Sequence, residues 1–129
     1  MKIHVYGTGT FMLLAFAACN QPAERVSCTD EFRYGLLVYV QDSATGASIA
    51  SGSTLLARDG AFRDALSFPG GRADLDPLPL HTAGERPGTY QITVTKPGYV
   101  SWTRNNVSVT AGVCHVNRTD ITARLQPAQ

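Results

Sequence analysis

Apolar and polar residues alternate along several short stretches of the chain, which is the pattern of β-strands with one buried face. In the clearest stretch Tyr90, Ile92 and Val94 fall on one side of an extended chain, and threonine and glutamine residues fall on the other. Gly88 and the pair Pro97-Gly98 bound this stretch. It therefore predicts a strand packed on a core, and similar segments elsewhere predict further strands around it.

The first half of the chain carries two such signals. Residues 34–42 are largely apolar on both sides of an extended chain, which predicts a central strand. The pair Asp59-Gly60 favours a type I′ turn, so it predicts a tight hairpin between strands at residues 53–58 and 61–67.

The second half begins with a long connection. Residues 68–82 contain three prolines and paired glycines, which predicts a surface loop, with a short strand near residues 80–84. Lys96-Pro97-Gly98-Tyr99 fits a type II turn, whose twist does not match a tight hairpin, so we expect the chain to splay or to cross between sheets there. Asn105-Asn106 predicts a turn or bulge, and residues 114–125 predict the last strand.

After residue 18 no segment of ten or more residues has helical periodicity. About seven short strands separated by turn signals predict an all-β domain, a two-sheet β-sandwich. The length of 129 residues allows one domain, and 43% hydrophobic with 16% charged residues argues against disorder.

The N-terminus has the composition of an export signal. Lys2 and His4 precede the apolar run 11–18, which Cys19 follows. The run is shorter than the roughly 20 apolar residues that a permanent membrane helix needs. We therefore expect export of the chain rather than a membrane domain.

Two cleavage sites compete. Ala17-Ala18-Cys19 is similar to a bacterial lipobox, although Phe16 stands where leucine is usual. This similarity predicts a lipoprotein signal peptide at 1–18, a lipid on Cys19, a tether at 19–27 and a domain at 28–126. The alternative is an ordinary signal peptide cut near the two alanines, with Cys19 unmodified.

The remaining cysteines agree with export. If Cys19 carries lipid, Cys28 and Cys114 are an even pair in an oxidising compartment, which predicts a disulfide; the alternative is a buried thiol at each position. Without Lys2 the chain has ten basic residues against ten acidic ones, so nothing favours a nucleic acid or an acidic membrane surface as partner.

Candidate chemistry is sparse. Asp74, Asp76 and His81 share the long connection and offer a calcium site as the alternative to a solvated loop. No zinc or nucleophile-elbow motif is present, although a catalytic triad is defined by geometry rather than by sequence. We expect neither a cofactor nor a metal.

Two further side chains have structural and functional interpretations. Lys96 is the one lysine beyond Lys2, and its place beside a turn predicts exposure rather than a reactive amine in an isopeptide crosslink. Trp102, with Tyr99 and Tyr39, could form an aromatic contact surface. Inward packing of Trp102 is the favoured interpretation, because Val100 shares its side of the strand.

These patterns resemble a known family. Gly88-Thr-Tyr90, Ile92-Thr-Val94 and Pro97-Gly98-Tyr99 resemble the pattern of carboxypeptidase regulatory-like domains, and residues 35–46 resemble their first strand and turn. The Cys28 and Cys114 positions are similar to those in small bacterial lipoproteins built on this domain. The resemblance implies a transthyretin-like (prealbumin-like) β-sandwich over most of residues 28–126, and the module in that family is not the peptidase.

The combined expectation is a non-catalytic lipoprotein of the bacterial cell envelope with a structural or binding role. It would be held to the membrane by the lipid on Cys19, with another envelope protein or a glycan as further candidate partner. Asn20 replaces the aspartate that favours inner-membrane retention, so we expect the outer membrane. The alternative is a secreted transthyretin-like protein that binds or hydrolyses a ligand. A hydroxyisourate hydrolase is excluded, because the chain ends Arg124-Leu-Gln-Pro-Ala-Gln129 rather than in Tyr-Arg-Gly-Ser.

Overall fold

Eight strands form in residues 23–129, the part of the chain that the computed structural model describes. In chain order they are β1 (Tyr34–Asp42), β2 (Thr54–Asp59), β3 (Phe62–Ser67), β4 (Leu80–Gly84), β5 (Gly88–Thr95), β6 (Trp102–Ala111), β7 (Val116–Asn117) and β8 (Thr119–Leu125). The connection between β3 and β4 contains a short 3₁₀ turn at Ala73–Leu75. No helix in residues 23–129 is long and apolar enough to span a bilayer.

The strands form two sheets. One has the order β4-β1-β8, and the other has the order β3-β2-β5-β6-β7. Strands β1 and β8 run parallel, whereas the other pairs are antiparallel. The all-β, two-sheet expectation is confirmed with one strand more than expected, and β1 is central in its sheet as predicted.

The core lies between the inner faces of the sheets. Leu36, Val38 and Val40 of β1 are at most 1% exposed, as are the alternating apolar residues of β5. The strand that gave the clearest sequence pattern thus contributes its predicted face to the core. The buried Tyr90 hydroxyl donates to the Arg86 carbonyl oxygen at 2.7 Å, so its one polar group is satisfied.

The predicted hairpin joins β2 and β3. Asp59 pairs with Phe62, so the two-residue loop is Gly60-Ala61, one position later than predicted. Gly60 has φ of 58°, which glycine adopts at little steric cost.

The predicted turn after β5 forms, and of the two expected outcomes the chain splays there rather than crossing between sheets. Gly98 has φ of 82°, and the Tyr99 N–H donates to the Lys96 carbonyl oxygen at 3.1 Å. Val94 nevertheless pairs with Trp102, which keeps β5 and β6 in one sheet. The turn sits within the longer connection 96–101, so its twist does not have to match the strands. The splayed backbone bonds instead to the chain after β8, as when the Val100 N–H donates to the Gln126 carbonyl oxygen at 2.8 Å.

The chain crosses between sheets at Arg118. Residues 114–125 were predicted as one strand, but they form β7 in the larger sheet and β8 in the smaller one. Asn117 pairs with Thr110 of β6, whereas Thr119 already pairs with Leu36 of β1. Alternation alone did not reveal this break because both short strands keep the same period.

The predicted irregularity at Asn105-Asn106 is confirmed as a bulge in β6. The register of β6 against β5 shifts between Tyr90 and Ile92, and Asn106 has φ of 56°. Asparagine tolerates this left-handed conformation better than most residues do, which explains its presence at this position.

Candidate functional site

A disulfide joins Cys28 to Cys114, as predicted, with a Cα–Cα distance of 5.3 Å. It connects the segment before β1 to the loop between β6 and β7. Cys28 is exposed and Cys114 is half-buried. The bond therefore fixes the N-terminal approach of the chain to one end of the sandwich.

A hydrogen-bonded network centred on His115 lies directly beside this disulfide. His115 Nδ1 is 2.7 Å from Glu85 Oε1, and His115 Nε2 is 3.2 Å from Thr29 Oγ1. Only 13% of the His115 side chain is exposed. We call Thr29, Glu85 and His115 the histidine network.

The Glu85 carboxylate links three separate segments of the chain. It accepts from the backbone N–H of Arg33 at 2.8 Å and from that of Val116 at 3.4 Å, in addition to His115. Burial acts to raise the pKa of Glu85, but the hydrogen bonds from His115, Arg33 and Val116 together lower it below the ordinary value. Glu85 is therefore ionised at neutral pH and acts as an acceptor.

The position of Glu85 depends on an unusual backbone conformation. Its φ is 47°, which is uncommon for a residue other than glycine. The Glu85 N–H donates to the Arg33 carbonyl oxygen at 2.9 Å, so backbone and side chain both hold the segment before β1. The strained turn is thus stabilised by the contacts that it makes.

A hydroxyl, an imidazole and a carboxylate follow one another along this chain of hydrogen bonds. Glu85 accepts a hydrogen bond from His115 Nδ1, and in the tautomer that carries its hydrogen on Nδ1 the Nε2 atom accepts one from the Thr29 hydroxyl. This is the order of groups in a catalytic triad, which is recognised by geometry. His115 and Glu85 also line a cavity of about 160 Å³ with Pro87 and Gly112. Thr29 itself lies on the exposed surface.

This network could not be predicted from the sequence. Its three residues come from the N-terminal segment, the β4–β5 turn and the β6–β7 loop, so no local motif joins them. The one indirect signal was Cys114, because the predicted disulfide already placed its neighbour His115 close to Thr29.

The calcium alternative is not supported by the geometry. Asp74 pairs with Arg72 at 2.7 Å, Asp76 accepts a hydrogen bond from the Ser51 N–H at 2.8 Å, and the His81 ring packs at a tilt against Tyr34, with 4.0 Å between ring centroids. Across residues 23–129 no three histidine, cysteine or acidic side chains converge as metal ligands.

The structure contradicts the prediction for Lys96 and confirms the prediction for Trp102. Lys96 is half-buried, and its Nζ donates to the carbonyl oxygen of the buried Ser51, so the expected solvent exposure is wrong. The reason is that the β5–β6 connection folds against the loop between β1 and β2. Trp102 is partly buried against the core, which confirms its inward packing.

A second, wider groove of about 720 Å³ opens beside the start of β1. Tyr34 and Leu37 line it with Arg33 and Arg118. Both arginines already hold acidic neighbours, Glu31 and Asp120 respectively, each at 2.9 Å. The groove is therefore amphipathic but has little uncompensated positive charge.

No protein-family model matches the chain, and no curated protein is significantly similar to it. The predicted lipid attachment at Cys19 and the signal peptide at 1–18 lie outside the described residues.

Proposed function

We propose that this protein is an exported, lipid-anchored β-sandwich with a non-catalytic structural or binding role in the bacterial cell envelope. The observation that carries the proposal is the Cys28–Cys114 disulfide. Such bonds persist in oxidising compartments and are rare in the cytosol. The bond begins nine residues after Cys19, which follows a charged start and a short apolar run. Export explains both features together.

The same proposal covers the membrane anchor and its location. Cys19 carries the lipid, residues 19–27 form the tether, and residues 28–126 form a domain of the carboxypeptidase regulatory-like type. The two-sheet fold supports the last assignment, as does the placement of Gly88 and Pro97-Gly98 at the ends of the β5 segment. Asn20 favours the outer membrane, facing the periplasm. An envelope protein or a glycan is the further partner that we propose.

The lipid anchor is tested by labelling bacteria that express the chain with a palmitate analogue. We expect label on the wild-type protein and none on Cys19→Ser. The double variant Cys28→Ser/Cys114→Ser is the matched control, because it removes two cysteines but should keep the label. Equal labelling of wild type and Cys19→Ser would contradict the proposed lipid anchor.

The proposed location has a test of its own. Separation of inner and outer membranes should place the wild-type chain in the outer membrane. Asn20→Asp should move it to the inner membrane without changing its labelling. An identical distribution of the two proteins would contradict the assignment of Asn20 as the sorting residue.

Hydrolysis of a ligand by a secreted form is the second candidate function, and the histidine network is the observation that favours it. The Thr29 hydroxyl would attack an ester carbonyl and pass its proton to His115 Nε2, while Glu85 holds Nδ1. The C–O bond to the alcohol then breaks, the alcohol takes that proton from Nε2, and water attacks the acyl group on Thr29 to release the acid. We favour the structural role, because the Glu85 carboxylate is already satisfied by two backbone N–H groups that join chain segments. An aryl-ester assay separates the two: activity lost in Thr29→Val and His115→Ala but kept in His81→Ala would establish the enzyme.

A further inference from the structure

Exposed apolar side chains are concentrated at the disulfide end of the sandwich. Val26 is 63% exposed, Phe32 is 62% exposed and Val113 is 83% exposed. Several exposed apolar side chains at one end of a domain indicate a surface that another apolar surface covers. We call Val26, Phe32 and Val113 the apolar tip.

The disulfide keeps the members of the apolar tip together. Val113 directly precedes Cys114, and Val26 lies two residues before Cys28. With 5.3 Å between the two cysteine Cα atoms, the Cα atoms of the two valines lie within about 16 Å of each other. Phe32 packs its ring on Gly84, next to Glu85 of the histidine network.

The charged side chains at the disulfide end do not indicate an acidic partner. Arg33 and Arg118 are each paired with an acidic neighbour, and Glu85 is paired with His115. Arg25 directly follows Glu24 in the sequence, so an acidic partner would find no excess of positive charge at this end. The apolar tip therefore fits an uncharged or zwitterionic surface.

The chain that precedes the described residues brings such a surface close. Val26 follows Cys19 by only seven residues, which span at most about 25 Å in any conformation and typically about 15 Å if flexible. An acyl chain on Cys19 would thus hold the apolar tip near the bilayer. The opposite end lies farther away, because the ten residues of β6 separate the two ends by about 30 Å.

We propose that the apolar tip inserts into the interface of a zwitterionic lipid bilayer and orients the sandwich with its disulfide end towards the membrane. This inference rests on the proposed lipid anchor at Cys19. Interfacial insertion of apolar side chains reaches about 5–10 Å into the boundary between headgroups and acyl chains. A second contact of this kind orients the tethered domain, with the β5–β6 connection and the residues after β8 held away from the lipid.

Quenching of tryptophan fluorescence by brominated lipid tests the orientation. The acylated variants V113W and V100W are each reconstituted into phosphatidylcholine vesicles with and without bromine on the acyl chains. Val100 is the matched control, since it is a valine that is 52% exposed at the opposite end of β6. Native Trp102 supplies the common baseline in both variants.

We expect the indole added in V113W to be quenched at least about twofold more than the indole added in V100W, because quenching requires contact with the acyl region. Equal quenching of the two would overturn the inference, and so would stronger quenching of V100W. Raising the salt concentration should not change the result, since this end carries no excess of positive charge.

The outcome is kept separate from the anchor by the palmitate label. If wild type carries no label, the lipid anchor fails, and the tip is then tested on the unacylated chain by flotation with phosphatidylcholine vesicles. Flotation that is lost in V113S and kept in V100S supports the insertion. Absence of flotation, or equal loss in both variants, overturns it.

Discussion

At the scale of single residues, Asp42 joins two loops at the end of the sandwich opposite the disulfide. Its Oδ2 accepts from the Tyr99 hydroxyl at 2.8 Å, and its Oδ1 accepts from the N–H groups of Ala44 and Thr45 at 2.7 and 3.0 Å. The Tyr99 hydrogen bond above all, followed by those of Thr45 and Ala44, holds the pKa of Asp42 below its ordinary value. The ionised carboxylate therefore stabilises the folded state.

This pKa shift predicts how stability depends on pH. The pKa of Asp42 is lower in the folded than in the unfolded chain, where it is about 3.9, so its contribution is complete above that pH. This stabilising contribution is lost as the pH falls through the pKa of Asp42 in the folded chain. Asp42→Asn should therefore lower the free energy of unfolding at pH 7, and the difference from wild type should narrow at about pH 3. Urea unfolding at both pH values measures it.

Tyr99→Phe provides the matched control, because it removes the main cause of the shift and keeps the carboxylate. The difference in free energy of unfolding between Tyr99→Phe and wild type should also become smaller at about pH 3, though by less than for Asp42→Asn. If Asp42→Asn lowers the free energy of unfolding by the same amount at pH 7 and at pH 3, the role assigned to the ionised carboxylate is contradicted.

The sequence predicted the disulfide but not the histidine network, and the reason is physical. Counting cysteines in an exported chain leaves one pair, so Cys28 and Cys114 follow without geometry. Glu85 reaches His115 only because its backbone adopts φ of 47° and the neighbouring strands hold the turn in place. Such a conformation is set by tertiary contacts, which a single sequence does not display.

At the scale of elements, the bulge in β6 depends on one backbone conformation. Asn106 has φ of 56°, and the register against β5 shifts beside it. A β-branched residue in the left-handed region costs roughly 1–2 kcal/mol. Asn106→Val should therefore lower the free energy of unfolding by about that amount, as measured by urea unfolding, whereas Asn106→Gly should be nearly neutral. Equal stability of both variants would show that the bulge is not set by this residue.

Most strands were predicted within a few residues, but of their pairings only that of β2 with β3 was predicted. Alternation in residues 88–95 reports which side of a strand is buried, and that holds for any sheet the strand joins. The break at Arg118 depends instead on the pairing of Thr119 with Leu36, which is distant in sequence, while Asn117 pairs with Thr110 in the other sheet. Pairing of this kind is a property of the assembled sandwich.

At the scale of the whole molecule, the disulfide encloses nearly all of the sandwich. Cys28 and Cys114 are separated by 86 residues, and six of the eight strands, β1 to β6, lie within that span. Because the bond removes conformations from the unfolded chain, its stabilisation grows with the enclosed length. It also holds the N-terminal segment next to the histidine network.

Removal of this bond is therefore the strongest single test of what stabilises the fold. Cys28→Ser/Cys114→Ser should lower the free energy of unfolding by on the order of 4–5 kcal/mol in the chain-entropy description. The denaturant dependence should become steeper, because an unfolded chain without the crosslink exposes more surface. Reductant should bring wild type to the stability of the double variant and leave that variant unchanged. A loss below about 1 kcal/mol would mean that strand pairing and the core hold the N-terminal segment without the bond, so that the disulfide adds little to the fold.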